Sequence, residues 1–294
     1  MIVTLGDLTL EILVKPDHDA PGRPPDSIGS VTMTGGGAAG NFAVWISRLG
    51  GNCRFIGKVG RDPAAELLVV DLLKEGVLAE TVSEQGSTAT LVHTVRRSGH
   101  ATLMPDRGVA VKLKPEDIRE DWLNDADWLH LPATSLWAQP IAAAAARAVR
   151  LARQAGARVS VSLTSANSLR DYGVSRFTAL LKTFKPDVVL ARQDEAALFP
   201  TGALGDLAPI AVLKLGANGS GAADGNGYRE YQGEEQRAVD RSGADEAFDA
   251  AWCLAYLKTG SLEQACASAN RLYARVAAHH GSRPKVDLRG LVRW

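Results

Sequence analysis

Asp240-Arg241-Ser242-Gly243-Ala244-Asp245-Glu246-Ala247-Phe248 sets small residues and two carboxylates at the start of an apolar helix. Phe248, Ala251, Trp252 and Ala255 follow on one helical face, which predicts core. Small residues such as Gly243 and Ala244 let backbone N–H groups approach an anion, and a helix N-terminus favours negative charge. A carboxylate beside that cradle, Asp245 or Glu246, can take a proton from an attacking hydroxyl. These are the needs of phosphoryl transfer. Asp245 also stands inside the cradle, where its charge competes with a phosphate.

Three other segments carry chemistry. Gly35-Gly36-Gly37-Ala38-Ala39-Gly40-Asn41 runs straight into an apolar helix at Phe42. Its glycines allow close approach of a ligand, and Asn41 offers a donor and an acceptor to a polyol. The plain alternative is a turn before a helix. Lys214-Leu215-Gly216-Ala217-Asn218-Gly219-Ser220 follows a strand in the manner of a nucleotide loop, but it lacks the Walker spacing. Arg192-Gln193-Asp194-Glu195 follows a strand ending at Leu190, where open α/β sheets bind ligands. Glu195 there is suited to orient Mg²⁺ through water, or simply to stabilise a helix start.

Outward from these segments, strand and helix patterns alternate. Strands are predicted at Ile2 to Val14 (with Gly6 as a bulge), Cys53 to Val59, Trp128 to Leu131, Ala157 to Leu163, Val188 to Leu190 and Ile210 to Leu215. Helices are predicted at Ala38 to Leu49, Pro63 to Glu75, Pro140 to Ala155, Ala247 to Leu257 and Leu262 to Ala278. The expected fold is α/β: a doubly wound, mainly parallel sheet with helices on both faces. His18 to Ser27 and the hairpin-like Thr88 to Gly108 break the alternation. The expectation is a single domain over 1–294 with a small β lid from about 12–34 and 88–108.

The chain has 294 residues, with 33 Lys plus Arg against 33 Asp plus Glu, so nothing favours nucleic acid or an anionic membrane. Cys53, Cys253 and Cys266 lack metal-ligand spacing and read as buried thiols of a reducing compartment. The N-terminus lacks a basic signal region, so a cytoplasmic protein is expected. His279-His280 faces two sides of a helix and does not read as a metal pair. An exposed lid edge predicts a homodimer through the lid.

These segments, in this order, resemble the ribokinase-like (PfkB) carbohydrate kinases over nearly the whole chain. Gly36 to Val44, Arg48 to Gly51 and Ile56 to Asp62 look like the first family motif. Asp240 to Phe248 takes the place of the second, normally Asp-Thr-Thr-Gly-Ala-Gly-Asp-Ala-Phe. The resemblance implies transfer of the ATP γ-phosphoryl group to a hydroxyl of a sugar, related polyol or nucleoside, with ATP and Mg²⁺ as cofactors. It implies Glu11, Gly36, Gly37 and Asn41 for the substrate, and Gly216, Gly219, Lys214 and Asn270 for the nucleotide. Glu195 is implied as the Mg²⁺-linked acid and Glu246 as catalytic base, with Gly243 and Ala244 around the developing charge.

The chain departs from the pattern at that centre. Arg192 replaces a neutral Asn, Asp245 replaces a Gly, and Glu246 and Glu11 replace Asp residues. Two readings follow: a kinase with reduced activity, in which Glu246 or a shifted Asp245 is the base, or a catalytically silent sugar- or nucleoside-binding regulatory protein on the kinase fold.

Overall fold

The computed structural model describes residues 1–16, 29–95, 101–200 and 204–291. Its strands are β1 (Ile2–Leu5), β2 (Thr9–Pro16), β3 (Gly29–Gly36), β4 (Cys53–Gly60), β5 (Leu78–Glu84), β6 (Thr90–Val95), β7 (Ala101–Asp106), β8 (Trp128–Pro132), β9 (Arg158–Ser162), β10 (Val188–Arg192), β11 (Ile210–Lys214), β12 (Gly219–Asp224) and β13 (Gly227–Gln232). Its helices are α1 (Ala38–Arg48), α2 (Pro63–Lys74), α3 (Ile141–Gln154), α4 (Ala166–Tyr172), α5 (Val174–Phe184), α6 (Gln193–Ala196), α7 (Ala244–Thr259) and α8 (Leu262–Ala277).

The main sheet has the order β13-β12-β11-β10-β9-β8-β1-β4-β5. Pairing is parallel from β11 to β5, and antiparallel only at β12 and β13. Alternate side chains of a strand face opposite sides, and β10 shows it. Val188 and Leu190 join one core with α1, α2, α7 and α8, whereas Val189 and Ala191 join another with α3 and α5. This is the doubly wound arrangement expected. Strand order reverses around β1, between β4 and β8, which opens a crevice at the carboxyl ends of these strands.

The predicted strand over Ile2 to Val14 is two strands in two sheets. The chain leaves the main sheet at Gly6, where only glycine fits, since a Cβ there would lie 2.5 Å from the Ser135 hydroxyl. From Thr9 it enters a small sheet of order β3-β2-β6-β7. The segments 12–34 and 88–108, expected to form a lid, contribute β2, β3, β6 and β7. Residues 17–28 and 96–100, which include the whole Pro-rich stretch from His18 to Ser27, lie outside the described residues.

Helices α4, α5, α6 and α7 differ from the periodicity reading, the first three because it contains no helix there. Helix α7 starts at Ala244, three residues before the apolar stripe, because Gly243 caps it in the left-handed region at φ 70°. Helix α5 was not anticipated, although it buries Phe177, Leu181 and Phe184 along one face. Its helical spacing was legible, but its polar residues concealed it.

Candidate active site

Two cavities meet at the start of α7. The first, about 770 Å³, is lined by Glu11, Gly37, Asn41, Gly243, Asp245 and Glu246, among others. The second, about 590 Å³, is lined by Arg192, Asp194, Lys214, Gly216 and Tyr273. Arg241 and Asp245 line both. The glycine turn at Gly37 and the turn at Gly243 therefore face one crevice, 206 residues apart in sequence.

The α7 turn is held tightly. A Cβ on Gly243 would lie 2.1 Å from the Ser282 carbonyl oxygen, and the positive φ excludes most side chains independently. Asp240 anchors the turn by accepting from Ser242 N and Gly281 N, both at 2.9 Å. Ala244, expected in the anion cradle, is fully buried and donates its N–H to the Arg241 carbonyl at 3.2 Å. The N–H groups of Asp245 and Glu246 open the helix and have no carbonyl a turn earlier within it. Glu246 is half-buried in the first cavity. Loss of hydration, reinforced by the Asp245 charge, pushes its carboxyl up to about 8.

Arg192 reaches from the end of β10 to three carboxylates. Its Nε donates to Asp194 Oδ1 at 3.1 Å and its Nη1 to Asp245 Oδ2 at 3.3 Å. Its Nη2 lies 2.8 Å from Glu195 Oε1, an ion pair outside hydrogen-bond alignment. Glu195 Oε2 accepts the Arg192 backbone N–H at 2.8 Å. Glu195 is fully buried, and burial, partly opposed by Lys214 and Arg192, raises its carboxyl to about 7. Of the carboxylate expected to serve Mg²⁺, Oε2 is thus taken by the Arg192 backbone and Oε1 faces the Arg192 guanidinium as an ion pair. No group of three or more His, Cys, Asp or Glu among the described residues is arranged to hold a metal. With a guanidinium already against Glu195, the described residues do not fit a Mg²⁺ ligated directly by the protein.

On the substrate side, Glu11 folds over the glycine turn. A Cβ on Gly36 would lie 2.0 Å from Glu11 Oε1. Glu11 Oε2 accepts from the Ser282 hydroxyl at 2.8 Å, and burial raises its proton affinity. Gly37 opens α1 at φ 85°, and a Cβ there would meet the Asp7 carbonyl at 2.5 Å. Asn41 does not offer both groups to a ligand as expected. Its Oδ1 accepts from Arg283 Nε at 2.7 Å, which leaves the amide nitrogen. Arg283 also donates to Asp71 Oδ2 at 2.8 Å and to the Gly36 carbonyl at 3.1 Å. This buried guanidinium organises the turn, and nothing local in the sequence announced it.

On the nucleotide side, the residues separate. Gly216 adopts φ 63° in the second cavity, near the Tyr273 hydroxyl. Gly219 serves packing: a Cβ there would lie 2.2 Å from the Tyr231 carbonyl. Asn270 donates from Nδ2 to the carbonyls of Tyr231 and Gln232 at 3.1 and 3.0 Å, so it clamps α8 to β13 rather than facing the cavity. Lys214 edges the cavity but is only 5% exposed, and its Nζ lies 3.0 Å from Asp249 Oδ1. Ser162 Oγ donates to Asp249 Oδ2 at 2.6 Å. Burial alone would lower the Lys214 pKa, but Asp249, Asp245 and Glu195 together raise it.

Several cavity residues escaped the sequence reading. Asp7, next after the β1 turn, accepts Arg107 Nε and Nη2 at 3.0 and 2.8 Å. Thr134 Oγ1, Trp137 Nε1 and Thr164 Oγ1 are buried, find no hydrogen-bond partner among the described residues, and belong to residues lining the first cavity. Thr134, Trp137 and Thr164 follow β8 and β9, so only the β-strand positions hinted at them.

The profile of the "pfkB family carbohydrate kinase" family matches residues 1–288. The chain belongs to the pfkB carbohydrate kinase family. As a member it is an ATP-dependent phosphotransferase of the sugar-kinase type. An ATP-dependent ribose-1-phosphate kinase of Halopiger xanaduensis is 32% identical over 284 residues, covering 96% of this chain and 93% of the relative. The fold matches that of an adenosine kinase from Sinorhizobium meliloti with a TM-score of 0.86 at 23% identity, covering 99% of this chain and 96% of the other. It also matches an Escherichia coli protein taken for a ribokinase II, in complex with ATP and Mg²⁺. There the TM-score is 0.83 at 21% identity, covering 96% and 94% of the two chains.

Proposed function

We propose that this pfkB kinase phosphorylates a hydroxyl of a small sugar that already carries a phosphate, with Glu246 as general base. One observation carries the reading: Asp245 and Arg241 border both cavities, while Glu246 lines only the glycine-turn side. The acceptor lies against Glu11, Gly37 and the Asn41 amide, with Thr134, Trp137 and Thr164 opposite. Lys15, His93, Arg241 and His280 also line this cavity and suit an anionic substituent, such as the named substrate of the Halopiger relative carries. ATP lies along Gly216 and Tyr273. The acceptor O–H gives its proton to the Glu246 carboxylate, its oxygen bonds to the γ-phosphorus, and the bond from that phosphorus to the β–γ bridging oxygen breaks to release ADP. The N–H groups at the start of α7 face the developing charge. Magnesium enters only as a counterion carried by ATP.

Turnover is slow on this reading. An ionised Asp245 about 4 Å from a phosphate oxygen costs about 4 kcal/mol at an effective dielectric near 20, and Arg192 offsets only part of it. The test is acceptor-dependent ADP release with ribose 1-phosphate, fructose and adenosine. Ribose 1-phosphate is expected to lead by about tenfold or more in kcat/KM. A lead by an uncharged acceptor removes the phosphosugar assignment, and no acceptor-dependent ADP at all removes the kinase reading.

The small sheet is proposed as the lid, and its outer face as the contact with a second copy. Met33, Ile12, Val92 and Met104 stand in one cross-strand row, with Val31 and Val14 beside them. Val31 is 63% and Met33 59% exposed. These side chains carry no charge, and identical apolar faces close on one another around a two-fold axis. Wild-type protein is expected to scatter light as a dimer and Met33→Lys as a monomer; a monomeric wild type ends the proposal. Three free cysteines, all buried, suit a reducing compartment, and with ATP use this supports a cytoplasmic setting.

A further inference from the structure

We propose that Arg192 is the resident cation of the nucleotide pocket, binding the polyphosphate of ATP in place of a protein-held metal ion. The inference rests on the kinase reading and adds the means of phosphate recognition. Its starting point is the failure of the Mg²⁺ fit. One guanidinium contacts Asp194, Glu195 and Asp245, three of the acidic side chains near the meeting point of the two cavities. It is 32% exposed and lines the second cavity, so it presents a face to the nucleotide side.

The geometry points to a division of labour within that fork. The contact with buried Glu195 is the shorter, 2.8 Å against 3.3 Å to Asp245. Glu195 is also tied to the Arg192 backbone N–H, so this end is anchored. The Asp245 contact is the longer one and spans the border between the cavities. A guanidinium has five donors in one plane and can hold Glu195 while presenting two of them to phosphate oxygens. An ammonium or a hydrated metal ion has no such fork.

Two of the departures at this centre, Arg192 and Asp245, are then partners. Asp245 alone would repel a γ-phosphate. Arg192 cancels that charge in the empty pocket and turns part of its fork to the phosphate when ATP arrives. The family's neutral Asn at this position could do neither.

The experiment is calorimetric titration of ATP into the full chain, in EDTA and in excess Mg²⁺. Wild type is expected to bind ATP in EDTA within about tenfold of its affinity with Mg²⁺. Arg192→Asn is expected to lose at least about tenfold in EDTA, and to regain part of it with Mg²⁺, since the freed carboxylates then accept a cation. Arg192→Lys keeps the charge without the fork and is expected to fall between them, which decides the matter should the Asn variant fold poorly. Equal affinity of wild type and both variants in EDTA overturns the proposal, as does a wild type that binds ATP only with Mg²⁺. A wild type that binds no ATP in either buffer removes the kinase reading itself. ATP binding indifferent to Arg192 removes this inference alone.

Discussion

Glu246→Gln is expected to lower kcat by about 10²- to 10⁴-fold while leaving ATP affinity unchanged. The side chain lines the acceptor cavity and not the nucleotide cavity, so the loss falls on chemistry. The amide keeps the size of the carboxylate and removes the proton acceptor. Steady-state kinetics and ATP titration separate the two effects; unchanged turnover would move the base elsewhere. Because the Glu246 carboxyl is pushed up to about 8, it is mostly protonated at neutral pH and wild-type rates are expected to rise until about that pH. The Gln variant loses that rise. Glu246→Asp combined with Asp245→Gly supplies the opposite test. A rate above wild type attributes the slow chemistry to these two residues, and no gain clears them of it.

The same carboxyls set a pH trend in stability. Glu195 titrates near 7 and Glu246 near 8 in the folded chain, against 4.5 ordinarily. The folded state therefore holds protons that the unfolded chain has released. Their contribution is fully present below about pH 4.5 and is lost as pH rises through 7 and 8.

Lys214→Met carries the largest expected stability loss. The ammonium and the Asp249 carboxylate are both buried, 3.0 Å apart beneath the start of α7. Removing one partner strands the other charge, which costs about 3–5 kcal/mol. At this chain size the thermal midpoint should fall by about 10 °C. Lys214→Met with Asp249→Leu removes both charges and is expected to recover most of the loss. Thermal unfolding of the two variants checks this. Unchanged stability with weakened ATP binding would instead restore Lys214 as a phosphate ligand. The buried pair explains why the strand-end lysine misleads: its position at the end of β11 fits a nucleotide contact, but its charge is spent on Asp249 of α7.

Long-range partners account for the other misreadings. Asn41 stood next to a ligand turn, yet Arg283, 242 positions away, takes its oxygen. Gly219 belongs to a glycine loop, yet its missing side chain makes room for the β13 backbone. Ile2 to Val14 is largely apolar, yet the Ser135 hydroxyl leaves no room for a Cβ at Gly6, where the chain departs the main sheet.

The order of apolar strands, amphipathic helices and glycine turns was enough to determine a doubly wound α/β protein, because burial periodicity and positive-φ demands act within a few residues. That local information also located the glycine turn before α1, and placed the start of α7 to within three residues. The tertiary structure alone decided which charges are free. Arg192 with Asp245, Lys214 with Asp249 and Arg283 with Asn41 are pairs between segments 35 to 242 residues apart. A charged group's role depends on what lies within about 4 Å of it in the fold, and spacing along the chain does not encode that distance.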